Sequence, residues 1–291
     1  MPTILETVGN TPIVQLQHLN PKTNVKIYAK LEGNNPGGSV KDRPALNMIQ
    51  GALDRGEITA KTKLIEATSG NTGIALALMA SVYGFSIELV MPKNSTRERV
   101  LTMEAYGAQV ILLDSIEECR DYAEDKGRES EYFLFNQFAN PDNPDAHFKS
   151  TGPEIWRDTN HLVTHFVSSM GTTGTIMGCS KFLKTQNPDI QIVGCQPTDG
   201  ASIPGIRRWP KEYVPQIFDP ERVDRVMDIS QEEAEETCRQ LAKQEGIFAG
   251  ASSGGAAAAA LRLGKELKEG IIVFIVCDRG DRYLSSDLFG Q

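Results

Sequence analysis

At 291 residues the chain exceeds what a single hydrophobic core comfortably organises, so one large or two closely packed domains are expected. Charged residues make up 23% and hydrophobic residues 40%, with no apolar run of bilayer-spanning length and no apolar secretion-type stretch near Met1; a soluble cytoplasmic protein is the expectation. The formal net charge of -8 argues against nucleic-acid and anionic-membrane partners, and Cys119, Cys179, Cys195, Cys238 and Cys277, odd in number and without Cys-x-x-Cys spacing, argue against disulfides and a metal site.

The first informative segment is Gly37-Gly38-Ser39-Val40-Lys41-Asp42-Arg43, which sets a lysine just beyond a flexible turn where a helix should begin. Pro44 inside that helix would clash with the carbonyl of Val40, so the helix is expected to start nearer Asp42 than Ser39. Apolar, β-rich runs then alternate with helical stretches: a strand at Leu64 to Ala67, an apolar helix from Ile74 to Val82 and a strand at Ile87 to Val90 come first. A helix around Arg97 to Tyr106, a strand at Val110 to Leu113 and a helix over Glu117 to Glu129 follow. Asn140-Pro141-Asp142-Asn143-Pro144-Asp145 breaks the rhythm and reads as a domain boundary. A second series runs through strands at His165 to Ser168 and Ile192 to Gly194, helices at Glu232 to Gln244 and Gly255 to Leu267, and a strand at Ile271 to Cys277. Such β-α-β order requires parallel strands joined by right-handed crossovers, which makes the class α/β with doubly wound sheets.

Four segments carry chemistry. Lysine forms Schiff bases with carbonyls, most often that of pyridoxal phosphate, and does so readily when burial lowers its pKa, so Lys41 reads as an amine held out for covalent work. Thr68-Ser69-Gly70-Asn71-Thr72-Gly73 lies between a strand and a buried helix, where hydroxyls and backbone N–H groups suit the carboxylate of an amino acid. Gly171-Thr172-Thr173-Gly174-Thr175 follows a strand and opens onto a helix, as a phosphate cradle would; no Gly-Lys-Ser/Thr ending or Gly-x-Gly-x-x-Gly fits a nucleotide, so a small phosphorylated cofactor is expected. Ala251-Ser252-Ser253-Gly254-Gly255 reads by itself as a helix cap. Beside a pyridine ring, a serine hydroxyl on the nitrogen does not favour the protonated ring, and the milder electron sink suits loss of a β-leaving group more than transamination.

Together and in this order, Gly-Gly-Ser-Val-Lys-Asp-Arg, Thr-Ser-Gly-Asn-Thr-Gly, Gly-Thr-Thr-Gly-Thr and Ser-Ser-Gly resemble the cysteine synthases, or O-acetylserine sulfhydrylases, along essentially the whole chain. The resemblance implies a tryptophan-synthase-β-like (fold type II) pyridoxal phosphate enzyme of two doubly wound α/β domains. Residues 35–145 would form a smaller mobile domain, and 1–34 with 146–291 the larger cofactor-binding one. It implies that Lys41 holds the cofactor covalently, Asn71 meets its ring hydroxyl, Gly171, Thr172, Thr173, Gly174 and Thr175 hold its phosphate, and Ser252 meets its ring nitrogen. Thr68, Ser69, Asn71, Thr72 and Gln137 match substrate-carboxylate positions. Gly205-Ile206-Arg207-Arg208-Trp209-Pro210, the Gly-Thr-Thr-Gly-Thr loop and Cys277-Asp278-Arg279-Gly280-Asp281-Arg282-Tyr283 resemble the B branch, whose members accept thiosulfate as well as sulfide. Arg207 is then expected near an incoming anionic nucleophile, with Cys277 beside the pocket. A homodimer is implied as well.

The reaction implied begins when the amino group of O-acetylserine displaces Lys41 and the freed amine removes the α-proton. Acetate then leaves, and sulfide or thiosulfate adds at the β-carbon to give L-cysteine or S-sulfocysteine. Another β-replacement or β-elimination enzyme of the same fold, such as a serine dehydratase or cystathionine β-synthase, is the nearest alternative. A catalytically silent binding protein is a further one, against which the retention of Lys41 and both anion loops counts.

Overall fold

The computed structural model describes residues 1–68 and 70–290. The chain begins with β1 (Ile13–Gln15) and β2 (Val25–Leu31), then α1 (Asp42–Asp54). An alternating series follows: β3 (Lys63–Ala67), α2 (Asn71–Tyr83), β4 (Ile87–Pro92), α3 (Arg97–Ala105), β5 (Gln109–Leu113), α4 (Ile116–Gly127) and β6 (Tyr132–Leu134). After α5 (Asp142–Ala146), a π-helical turn at His147–Thr151 and α6 (Gly152–Asp158) come β7 (His165–Ser169), α7 (Gly174–Gln186), β8 (Gln191–Pro197), β9 (Arg225–Ile229), α8 (Gln231–Glu245), α9 (Ala251–Glu266) and β10 (Gly270–Val276).

The strands form two sheets, one of six in the order β1-β2-β10-β7-β8-β9 and one of four in the order β5-β4-β3-β6. The smaller sheet is parallel throughout; the larger is parallel except where β1 runs antiparallel to β2, pairing Val14 with Ala29. Both faces of the central strands of each sheet are buried, as alternation along them demonstrates. On β10, Ile272, Phe274 and Val276 join the cluster built by α8 and α9, while Val273 and Ile275 join that of α7. On the smaller sheet, Leu64, Leu89 and Met91 face the helices α1 and α2, and Ile65 and Val90 face α4. Near-continuous apolar strands are what a sheet covered on two sides needs, and they give the doubly wound arrangement. None of the helices among the described residues is long and apolar enough to cross a membrane.

Helix α1 starts at Asp42, and the Ala45 N–H donates to the Lys41 carbonyl at 3.0 Å. Pro44 thus occupies the first turn, where its missing N–H has no partner to lose. The Pro- and Asn-rich segment is not a plain break: Asp142–Ala146 is helical, with Pro144 again in a first turn, and the chain stays helical through Asp158. The strands Ile13–Gln15 and Val25–Leu31 are not assigned from the sequence, and neither are Tyr132–Leu134 and Arg225–Ile229. Tyr132–Leu134 has only three residues, and Arg225–Ile229 is an edge strand whose exposed Arg225, Val226 and Asp228 mask its pattern.

Candidate active site

The loops with chemistry all leave the carboxyl ends of parallel strands, where open α/β sheets form their crevices. Thr68 to Gly73 follows β3, Asn136 to Phe138 follows β6, Gly171 to Thr175 follows β7, and Cys277 to Tyr283 follows β10. Lys41 is pinned at this rim because Ser39 bridges Asp278 and the Val40 N–H donates to the Cys277 carbonyl at 2.7 Å. Burial pulls the half-buried Lys41 amine below the ordinary lysine range, against the opposing pull of Cys277 and Asp278. A larger neutral fraction favours a nucleophile or a general base.

Cys277 borders Lys41, and burial pushes its thiol up to about 11 even though Lys41 and the Ser252 hydroxyl draw it down, so it lines the site as a neutral group. The two serines of the 251–255 loop have different partners: Ser253 Oγ accepts the Cys277 N–H at 2.9 Å, whereas the Ser252 side chain reaches the Cys277 thiol. The Ser252 carbonyl accepts from Ser169 Oγ at 2.6 Å, which ties this loop to the end of β7. Gly205, at φ +88, faces Ser252; a Cβ there would meet Ser252 Oγ at 3.2 Å.

The 171–175 loop bends through Thr173, whose φ of +72 is left-handed for a threonine, before α7 begins at Gly174. The Thr173 hydroxyl is buried and has no hydrogen-bond partner among the described residues. Beside it the start of α7, whose Gly174 N–H donates to Thr172 Oγ1 at 3.4 Å, adds its dipole, so the donor set fits a phosphate. Thr175 Oγ1 lies 3.3 Å from His147 Nε2, and His147 Nδ1 lies 2.8 Å from Thr151 Oγ1; burial lowers His147 to about 3, keeping the ring neutral. Thr172 Oγ1 accepts from Asn143 Nδ2 at 3.3 Å, and the same amide donates to the Gln137 carbonyl at 2.7 Å.

On the opposite wall, Thr72 donates to Gln137 Oε1 at 2.7 Å and Thr68 Oγ1 accepts the Gly70 N–H at 3.3 Å. Ser69 lies outside the described residues. Asn71 is oriented from the far sheet: its Nδ2 donates to Asp278 Oδ2 at 2.7 Å, and its Oδ1 accepts from Arg282, which also donates to the Gly37 carbonyl. Arg207 sits beside the phosphate loop through its backbone, its N–H donating to the Met170 carbonyl at 2.9 Å; its side chain is exposed and makes no hydrogen bond or ion pair among the described residues. Arg208 is engaged instead, bonding the Pro197 carbonyl at 2.8 Å and Asp228 at 2.6 Å.

The sequence reading named neither Asp278, Arg282 and Asn143 as site residues nor two buried acids. Glu66 accepts the N–H of Asn136 at 3.0 Å and that of Gln137 at 3.4 Å, and burial raises it to about 7 against those bonds. Glu32 pairs with Arg43, the last residue of the lysine motif. The available signal was a carboxylate inside an otherwise apolar strand, Leu64-Ile65-Glu66-Ala67, since an acid is seldom fully buried without a partner to serve.

A sequence profile of the pyridoxal-phosphate dependent enzymes matches residues 4–278, and the chain belongs to that family. Pyridoxal phosphate is its cofactor. Over 291 residues it is 59% identical to cysteine synthase B of Pseudomonas aeruginosa, covering 99% of this chain and 97% of that enzyme. It is 55% identical to cysteine synthase B of Escherichia coli, with 100% and 97% covered. A solved cysteine synthase from Entamoeba histolytica superimposes with a TM-score of 0.95 at 36% identity, covering 100% of this chain and 91% of that one. Within the family the chain falls among the cysteine synthases of the B type, and it is a cysteine synthase enzyme.

Proposed function

We propose that the site carries out β-replacement on O-acetyl-L-serine, giving L-cysteine and acetate with sulfide and S-sulfocysteine with thiosulfate. The observation that carries this reading is the convergence on one rim of Lys41, its amine shifted toward the neutral form by burial, with a buried hydroxyl in the 171–175 loop that has no partner among the described residues and the Thr72–Gln137 pair. In this reading Lys41 holds the cofactor, Gly171 to Thr175 take its phosphate, Asn71 its ring hydroxyl and Ser252 its ring nitrogen. Pyridoxal phosphate, when bound, supplies an electron sink conjugated with the substrate α-carbon. Thr68, Ser69, Asn71, Thr72 and Gln137 hold the substrate carboxylate and so align the α-C–H bond, an orientation effect worth several kcal/mol. The Lys41 amine removes the α-proton and later returns it, and Cys277 lines the path as a thiol.

Residues 35–145, which contain the whole four-stranded sheet, act as the smaller mobile unit against 1–34 with 146–291, in a cytoplasmic homodimer. Thiosulfate use rests on Arg207, a cation without a side-chain partner among the described residues, next to the 171–175 loop in an acidic chain. A guanidinium near the terminal oxygens stabilises an anion that keeps its charge during attack, and sulfide presents no such oxygens. Steady-state rates of Arg207→Ala with both donors test this. Turnover with thiosulfate should fall more than with sulfide, by roughly 1–3 kcal/mol in relative barrier. Equal losses remove Arg207 from donor recognition, and an unmutated enzyme that cannot use thiosulfate removes that donor while leaving cysteine formation from sulfide intact.

A further inference from the structure

We propose that Glu66 is a positioning residue that holds Gln137 in the orientation needed to receive the carboxylate of the amino-acid substrate. The proposal rests on the reading of Gln137 as a carboxylate contact. Glu66 stands next to last in β3, 2% exposed, with its carboxylate under the loop that leaves β6. Two successive backbone N–H groups converge on it, Asn136 at 3.0 Å on one oxygen and Gln137 at 3.4 Å on the other. They can converge because Asn136 takes a left-handed φ of 51, the backbone form that turns consecutive N–H groups toward one anion. The Gln137 side chain is a further hydrogen-bond partner of Glu66, and Arg120 of α4 supplies the opposite charge nearby.

Gln137 itself is 6% exposed, and three neighbours fix it. Its Oε1 accepts from Thr72 at 2.7 Å, its carbonyl accepts from Asn143 at 2.7 Å, and its backbone N–H donates to Glu66 Oε1 at 3.4 Å. An amide whose oxygen is held by a hydroxyl, on a backbone pinned at both its N–H and its carbonyl, has the direction of its own N–H donors set. Thr72 and Asn143 are neutral partners, whereas Glu66 in its ionised form makes the stronger, charge-assisted bonds. The same carboxylate joins β3 to the loop after β6, so it sets where Gln137 stands as well as how its amide turns.

The test uses cofactor-loaded enzyme with Glu66→Gln, Gln137→Ala and the double variant, measuring kcat/KM for O-acetylserine and for sulfide together with visible cofactor absorption. One hydrogen bond to a charged group is worth enough to lower kcat/KM for O-acetylserine about tenfold or more in Gln137→Ala. Glu66→Gln should lower the same constant roughly fivefold, with sulfide kcat/KM and cofactor absorption unchanged, and the double variant should match Gln137→Ala alone, as coupled residues do. Glu66→Asp, which keeps the charge but withdraws it by one methylene, reads the same split if Glu66→Gln does not fold. Full activity toward O-acetylserine in Glu66→Gln beside a damaged Gln137→Ala overturns the positioning role and leaves the carboxylate reading standing. Additive losses, or equal losses toward both substrates with weakened cofactor binding, overturn it in favour of a structural role. An undamaged Gln137→Ala overturns the carboxylate reading and the positioning role with it.

Discussion

Arg43 lies two residues past Lys41, and replacing it with methionine, of similar reach and no charge, should destabilise the protein by about 3–5 kcal/mol. The magnitude follows from its four short bonds. Nε and Nη2 bind the two oxygens of Glu32 at 2.7 and 2.8 Å, and Nη1 and Nη2 bind those of Glu154 at 2.7 Å each. Glu154 would keep Lys30 at 2.7 Å, whereas Glu32 would keep only neutral donors in contact, Thr11 at 2.6 Å and Asn35 at 2.9 Å. The uncompensated charge of Glu32 therefore sets most of the cost. It also sets the pH dependence. Burial alone would raise Glu32, but Arg43 holds it below the ordinary value of 4.5, and Glu154 is likewise held down to about 2. These depressed values contribute stability above the unfolded-state value and lose it as pH falls through the folded value. Without Arg43 burial dominates, Glu32 moves above its unfolded value, and the penalty is greatest at neutral pH and smaller in acid. Urea unfolding of cofactor-saturated wild type and Arg43→Met should show a gap that narrows between about pH 7.5 and pH 5. In thermal scans at neutral pH the gap corresponds to roughly 6 °C or more. A gap under about 1 kcal/mol, or one independent of pH, refutes the account of Arg43 as the counter-charge that makes Glu32 tolerable in the core.

Lys41→Ala should lose the borohydride-reducible link to the cofactor together with turnover, while noncovalent cofactor remains detectable after gel filtration; a variant that still forms a reducible lysine adduct and turns over normally refutes the assignment. Ser252→Asp sets a carboxylate where a hydroxyl stood and should favour a protonated ring nitrogen, seen as a shifted visible absorption and slower replacement. Unchanged spectra and rates at full cofactor occupancy point away from Ser252.

Much of the architecture was legible because buried parallel strands are short apolar runs and the glycine- and threonine-rich loops sit just beyond them. Leu64 to Ala67 and Ile271 to Cys277 announce their strands, and each is followed within a few residues by a loop of the site. Strands such as Arg225–Ile229 were illegible because an edge strand exposes charges, and helix α5 because Pro141 and Pro144 read as breakers until a helix start tolerates them. Within the site, residues in contiguous motifs could be named. Those supplied across long sequence distances could not, since nothing local says that Asp278 reaches Asn71 or that Glu66 reaches the Gln137 loop.

The same long-range contacts bear on how an acidic loop can border the reactive amine while the amine's pKa still lies below the ordinary lysine value. Asp278 is buried close enough to raise the Lys41 pKa, yet burial of the amine prevails and the net direction is downward. One Asp278 oxygen is occupied by two donors, Asn71 Nδ2 and Tyr283 Oη, each at 2.7 Å. Those bonds direct the carboxylate toward partners other than Lys41. They also fix which way the Asn71 amide faces, because Arg282 binds its oxygen while Asp278 takes its nitrogen. One loop after β10 thus touches two properties of the site at once, the electrostatic surroundings of Lys41 and the orientation of Asn71.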